Sequence, residues 1–186
     1  LIEKKLYPYF YNILASISLI AEFYKIENVN EKIFNNFKLP DSRGDQKKIK
    51  LSNKNIWLTD ESYNSNPLSL KFSIENFNKQ YNRNKYLILG DMLELGKFSK
   101  VLHKQAAKII NKTSIKKVYV IGKHIKETFY GINSKKRGSI MNNKNEIYQL
   151  IKNQLKNNDH LMIKASNSTG LNIVASNIKK GKINAI

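Results

Sequence analysis

The sequence predicts an α/β protein built on a mostly parallel sheet with helices on both faces. Short apolar runs at residues 56–59, 86–89, 118–121 and 161–163 read as strands, and helical apolar spacing fills the stretches between them. Strands that alternate with helices need crossover connections, which make neighbouring strands parallel. The predicted strand ends carry Gly90-Asp91, Gly122-Lys123 and Ala165-Ser166, and ligands of such sheets bind outside the carboxyl ends of the strands. At 186 residues and 41% hydrophobic, the chain has enough apolar side chains for a core of its own.

In chain order, Ile13, Ile17, Ile20 and Tyr24 recur at helical spacing, beside Leu14 and Ala21. Asn30 is suited to cap a short second helix burying Ile33, Phe34 and Phe37. Residues 39–44 read as a loop and 56–59 as a strand. Asn66-Pro67 is a helix start, a cap residue followed by proline in the first turn, and Leu70, Ile74 and Phe77 form the stripe of that helix. The polar run 78–85 is the best linker candidate, which places a boundary near residue 80. A helix over 99–111 is expected to turn Leu102, Ala106 and Ile109 inward. A weaker strand follows at 139–141. Further helices are expected at 144–156, on Ile147, Ile151 and Leu155, and at 170–180, on Leu171, Val174 and Ile178.

Composition excludes several functions. There is no cysteine, hence no disulfide frame, thiolate metal site or cysteine nucleophile. The net charge of +19 sets 30 lysines and only three arginines, Arg43, Arg83 and Arg137, against 14 acidic residues. Readers of nucleic acid use arginine for bidentate contacts, so an even Lys and Asn enrichment is better read as coding bias than as a nucleic-acid surface. A Lys-rich nucleic-acid-binding α/β module is the alternative from another class. No run approaches the roughly 20 apolar residues of a membrane span. There is no P-loop, no G-x-G-x-x-G and no H-E-x-x-H, and His103, His124 and His160 are scattered.

Three clusters carry chemistry. Asp60-Glu61-Ser62-Tyr63-Asn64-Ser65-Asn66 gathers two carboxylates, a phenol and two amides between a strand and a helix start. Leu89-Gly90-Asp91-Met92-Leu93-Glu94-Leu95-Gly96, with His103 beyond it, places two acids three residues apart at a strand end. Lys164-Ala165-Ser166-Asn167 offers a cation leaving a strand, suited to a carboxylate or phosphate.

The first two strings, in this order and about 25 residues apart, resemble the Mur ligase family, in its branch that adds D-alanyl-D-alanine to UDP-N-acetylmuramoyl-tripeptide. That branch reads D-D-S-Y-N-A-N-P, then L-G-D-M-x-E-L-G and a downstream His. Asn12-Ile13-Leu14-Ala15-Ser16 looks like its N-A-L-A-A helix, Arg43-Gly44 sits where it places G-R, and Leu161 to Ser166 resembles its L-V-K-G-S strand end. The sequence departs from that pattern at Pro8-Tyr9, at Glu61, and at Ala165 and Asn167.

The resemblance implies that residues 1–80 are the end of a central ATPase domain and 81–186 a Rossmann-like third domain, without the family's P-loop and carbamylated lysine. It implies an ATP-dependent ligase using Mg²⁺, with an acyl phosphate intermediate, acting in the cytoplasm on UDP-N-acetylmuramoyl-tripeptide and D-alanyl-D-alanine in peptidoglycan synthesis. A monomer, no nucleic acid and no membrane insertion are expected, and the chain alone is expected to be inactive. Within the same class, another Mur or folylpolyglutamate-type ligase is the alternative. Carried over, Arg43, Asp60 and Glu61 stand at catalytic positions, and Asn12, Arg43, Glu61, Tyr63, Asn64 and Asn66 at nucleotide-facing positions. Asp91, Glu94, His103, Lys164 and Ser166 stand at positions facing the acceptor substrate.

Overall fold

The computed structural model describes residues 10–28, 30, 40–80 and 83–183. The chain divides between Leu39 and Pro40 into two compact units. In the first, α1 (Phe10–Ala21) buries Ile13 and leaves Asn12 exposed, with the Asn12 carbonyl accepting from Ser16 Oγ at 2.9 Å. The second helix expected after Asn30, and Pro8-Tyr9, lie outside the described residues.

The second unit holds a six-stranded sheet of β1 (Asp45–Lys50), β2 (Asn55–Glu61), β3 (Lys85–Gly90), β4 (Lys117–Ile121), β5 (Arg137–Met141) and β6 (His160–Lys164). The spatial order is β1-β2-β6-β3-β4-β5. Only β1 and β2 pair antiparallel; the other neighbours are parallel. The predicted α/β class is observed. Every residue of β3 and of β6 is buried, as two-sided cover requires of central parallel strands.

Helices α2 (Pro67–Lys79), α3 (Ser99–Asn111) and α4 (Lys126–Gly131) cover one face, where Leu70, Ile74 and Phe77 join Leu87, Leu89, Val118, Val120 and Met162. Helices α5 (Asn145–Asn153) and α6 (Leu171–Lys179) cover the other, where Ile147, Ile151, Leu171, Val174 and Ile178 meet Ile56, Leu58, Ile88, Leu161 and Ile163.

This arrangement corrects the expected boundary near residue 80. Strand β2 pairs with β6 along Trp57–Glu61, and α2 packs into the same core as β3, so residues 45–79 and 85–164 share one sheet and the cores on both its faces. The inward face of α3 also differs from expectation. His103, Ala106, Ala107 and Ile110 are buried, while Leu102 and Ile109 line a shallow apolar groove of about 310 Å³ between α2 and α3. The reason is steric. A Cβ added at Gly131 of α4 would lie 2.8 Å from the Ala107 Cβ, so only small side chains fit where the two helices cross.

The start of α2 forms as its sequence demands. The Asn66 side chain accepts from Ser69 N at 2.8 Å, and Ser69 Oγ accepts from Asn66 N at 3.1 Å, a reciprocal capping box with Pro67 in the first turn. Asn66→Ala is expected to lower stability by about 1 kcal/mol, measured as a shifted urea midpoint with an unchanged slope; an unmoved midpoint would show that the cap is redundant.

Candidate functional site

In chain order β3 leads to β4 and β5 on one side of the sheet, and the chain then returns to place β6 on the other side of β3. The carboxyl ends of β3 and β6 therefore border the point where strand order reverses, the place at which α/β sheets open a ligand crevice. Glu61 and Lys164 are register partners across β2 and β6, and Leu89 is the partner of Lys164 across β3. Three strand ends thus bring the three predicted clusters to one sheet edge.

Successive strand residues point to opposite faces, so the two adjacent acids have different fates. Asp60 is wholly buried. Its Oδ1 accepts from the Ser62 N–H at 3.1 Å and from Ser62 Oγ at 2.5 Å, and its Oδ2 accepts from Ser42 Oγ at 2.9 Å and pairs with Lys179 Nζ at 2.7 Å. Each oxygen of Asp60, expected at a catalytic position, is thus already held inside the fold.

Glu61 is half-buried, with its Oε2 3.6 Å from Lys164 Nζ. Burial pushes its carboxyl above the usual carboxylate range, against the pull of Lys164 and a hydrogen bond with Ser73. Lys164 is 1% exposed and donates to the Asn64 carbonyl at 2.9 Å. Burial pushes its ammonium below the ordinary value, against the pull of Glu61. Lys164 thus props the turn from inside, and Glu61 is the partly open member of the pair.

Tyr63 is exposed, and the Arg43 guanidinium lies 4.1 Å from its ring centroid. Such an open cation-on-ring pair matches the planar and anionic parts of a nucleotide.

The other strand ends close on this turn. Ser166 Oγ donates to the Ser65 carbonyl at 3.3 Å and accepts from the Leu93 N–H at 3.0 Å, and the Ser166 N–H donates to the Asp91 carbonyl at 3.1 Å. The Asp91 carboxylate accepts from the Lys123 N–H at 3.0 Å and the Ile125 N–H at 2.7 Å, which anchors the β4–α4 turn. Gly122 makes this possible. Its φ is +140°, and a Cβ there would fall 2.6 Å from an Asp91 oxygen. Glu94, exposed at φ +64°, stands on the loop between β3 and α3.

His103 is another correction. It is 0% exposed; Nδ1 donates to the Ser99 carbonyl at 2.7 Å and Nε2 accepts from the Met92 N–H at 3.0 Å. Both ring nitrogens are taken, and burial lowers its pKa, so it is a neutral brace behind the loop and not a group facing a substrate.

The structure brings together Glu61, Asn64, Asp91, Lys164 and Ser166, and sets Arg43 on Tyr63. Asn66 serves the helix cap. Asn12 lies in the other unit. Sequence reasoning missed Ser42, which the structure holds at φ +62° and for which the turn-forming string Pro40-Asp41-Ser42-Arg43-Gly44 was the one local hint, and Lys179, which nothing marks among 30 lysines. Among the described residues no group of three or more His, Asp or Glu side chains is gathered as a metal site, and Asp60 is saturated, so these residues do not form a Mg²⁺ site of their own.

Comparison with known proteins gives the family and the fold. The sequence model of the "Mur ligase, glutamate ligase domain" family matches residues 49–167. The UDP-N-acetylmuramoyl-tripeptide–D-alanyl-D-alanine ligase of Buchnera aphidicola subsp. Baizongia pistaciae is 33% identical over 130 residues, 69% of this chain and 27% of that protein. The Bacillus subtilis ligase of the same name is 29% identical over 130 residues, 65% of this chain and 27% of that protein. The chain therefore spans about a quarter of the length of these curated relatives. Among solved structures, the MurF ligase from Thermotoga maritima in complex with ADP superposes with a TM-score of 0.67 at 21% identity, covering 92% of this chain and 37% of that one. At that identity the likeness establishes the fold.

Proposed function

The chain belongs to the Mur ligase family, through its glutamate ligase domain, and on that premise we propose that it is the carboxyl-terminal part of an ATP-dependent ligase joining D-alanyl-D-alanine to UDP-N-acetylmuramoyl-tripeptide in peptidoglycan precursor synthesis. The observation that carries this reading is the meeting of the Glu61–Asn66 turn with Lys164 and Ser166 where the strand order reverses.

Bound ATP would supply phosphoryl activation of the tripeptide's terminal carboxylate, which as a free anion is a poor electrophile. The chain's own residues act around that chemistry. Arg43 and Tyr63 present a cation and a ring face at the nucleotide side. Lys164 holds Asn64 and Glu61 in place, so the half-open Glu61 carboxylate is set to accept hydrogen bonds from hydroxyl or ammonium groups. Ser166 ties the β3 and β6 loops into one wall on the side assigned to the incoming dipeptide.

The test is ADP release by a polypeptide in which this chain is preceded by the P-loop-bearing part of a Mur ligase. Release is expected to require ATP, the UDP-linked tripeptide and D-alanyl-D-alanine together. Lys164→Met, by misplacing Glu61 and Asn64, is expected to lower the rate about 100-fold. Release that ignores the dipeptide, or that another amino acid supports equally well, would overturn the reading.

A further inference from the structure

We infer that Lys179 is a positioning residue: its ammonium, shared between Asp45 and Asp60, fixes the 41–44 loop and so sets Arg43 on Tyr63 before any ligand arrives. This deepens the ligase reading and rests on it for the identity of the ligand.

The argument follows a chain of contacts. Lys179 Nζ is 2.7 Å from Asp60 Oδ2 and 2.9 Å from Asp45 Oδ2, and its side chain is 14% exposed. Both carboxylates also hold Ser42: Asp60 accepts from its Oγ at 2.9 Å, and Asp45 Oδ1 accepts from its N–H at 2.7 Å. Two carboxylates converging on one serine repel each other, and the ammonium shared between them at 2.7 and 2.9 Å offsets that repulsion. Burial alone would lower the Lys179 pKa, but its bonds to Asp60 and Asp45 outweigh burial and hold it above the ordinary value.

Ser42 in turn has a φ of +62°, a conformation that an L-residue keeps only where its surroundings over-determine it. Its carbonyl accepts from the Tyr63 N–H at 3.1 Å, and the Gly44 N–H donates to the Asp60 carbonyl at 2.7 Å. The backbone is thus pinned to the end of β2 on both sides of Arg43. The guanidinium lies over the Tyr63 ring at 4.1 Å, on a loop held at both flanks. A pre-formed pair spares a ligand the ordering of a long side chain, which is how a residue that touches no ligand raises affinity.

The test reads the Arg43 side chain directly. The chain has three arginines, so their Nε–H resonances are readily separated, and stacking on Tyr63 moves that of Arg43 upfield. Wild type and Lys179→Arg are expected to share that shift, and Lys179→Met to lose most of it. Arg137, which donates to the Ile132 and Tyr130 carbonyls far along the chain, is expected to stay unmoved as the internal control. An unmoved Arg43 resonance in folded Lys179→Met would overturn the inference. Should that variant fail to fold, Ser42→Ala, which removes one link and leaves the Lys179 pairs, decides: loss of part of the shift supports the inference and an unchanged shift overturns it.

In the ligase, Lys179→Met is expected to raise the KM for ATP about tenfold with kcat little changed. A lowered kcat at unchanged KM would overturn the inference. Failure of the wild-type protein to use ATP would instead overturn the ligase reading and leave the resonance result standing.

Discussion

Asp60→Ala is expected to lower the folding stability of the second unit by about 3–5 kcal/mol. The substitution does more than delete one residue's bonds. It strips the partner from Lys179, leaves the Ser42 and Ser62 hydroxyls without their acceptor, and does so at a side chain with no exposure to solvent. Against a typical total of roughly 5–15 kcal/mol, that loss is a large share of the unit's stability. Urea denaturation followed by circular dichroism measures it. Asp60→Asn, which keeps an acceptor and the shape of the side chain, is expected to fall between wild type and alanine. Equal stability of all three proteins would show the network to be incidental, and would return Asp60 to the role in catalysis that its sequence position suggests.

The second large effect is loss of stability in acid. His160 is wholly buried at the start of β6, bonded through Nε2 to Thr59 Oγ1 at 2.8 Å and packed edge-on to Phe77. Burial first, then the charges of Arg83 and Lys85, lower its pKa from 6.5 to about 4. The unfolded chain therefore binds a proton between pH 6.5 and about 4 that the folded chain refuses. Its contribution is fully present above pH 6.5 and is lost as the pH falls through that window, a change of roughly 3 kcal/mol. His103, also lowered by burial, acts in the same direction. The measurement compares urea midpoints at neutral and mildly acid pH for wild type and for His160→Gln, which keeps a polar partner for Thr59 and does not titrate. The variant is expected to lose most of the difference; an identical acid loss in both proteins would place its origin elsewhere.

Much of the fold was legible because most elements announce themselves by period or by continuous apolarity. Strand β3 is all buried and reads as an unbroken run, and α3 begins and ends where its pattern does. What escaped has identifiable causes. Strand β1, Asp-Gln-Lys-Lys-Ile-Lys, buries only Ile49, because an edge strand carrying lysines needs no apolar alternation and is protected by their charge. Helix α4 has six residues, too few to show a period. The inward face of α3 departs from its apolar spacing because the approach of α4 cannot be read from α3 alone; His103 and Ala107 go inside, and Leu102 and Ile109 border the groove beside α2.

At the site, the residues that meet were visible as strand-end clusters, since sheet topology alone brings strand ends together. Which of two adjacent acids is enclosed was not visible. That depends on Ser42 and on Lys179, the latter 119 residues beyond Asp60 in the chain. The polar stretch near residue 80 misled for a simple reason. A connection between a helix and the next strand of one sheet has the same composition as a hinge between domains.

The place of β6 has a consequence for biosynthesis. The last of this sheet's described strands in chain order is the one that sits between β2 and β3, with its neighbours some 100 and 75 residues earlier in the chain. Until it leaves the ribosome, β2 and β3 each present an unsatisfied apolar border, the kind of template on which nascent chains associate wrongly. A premature stop before His160 would therefore yield two unmatched half-sheets and not a shorter version of the protein, and co-translational chaperones would be needed most in the interval before residues 160–164 emerge.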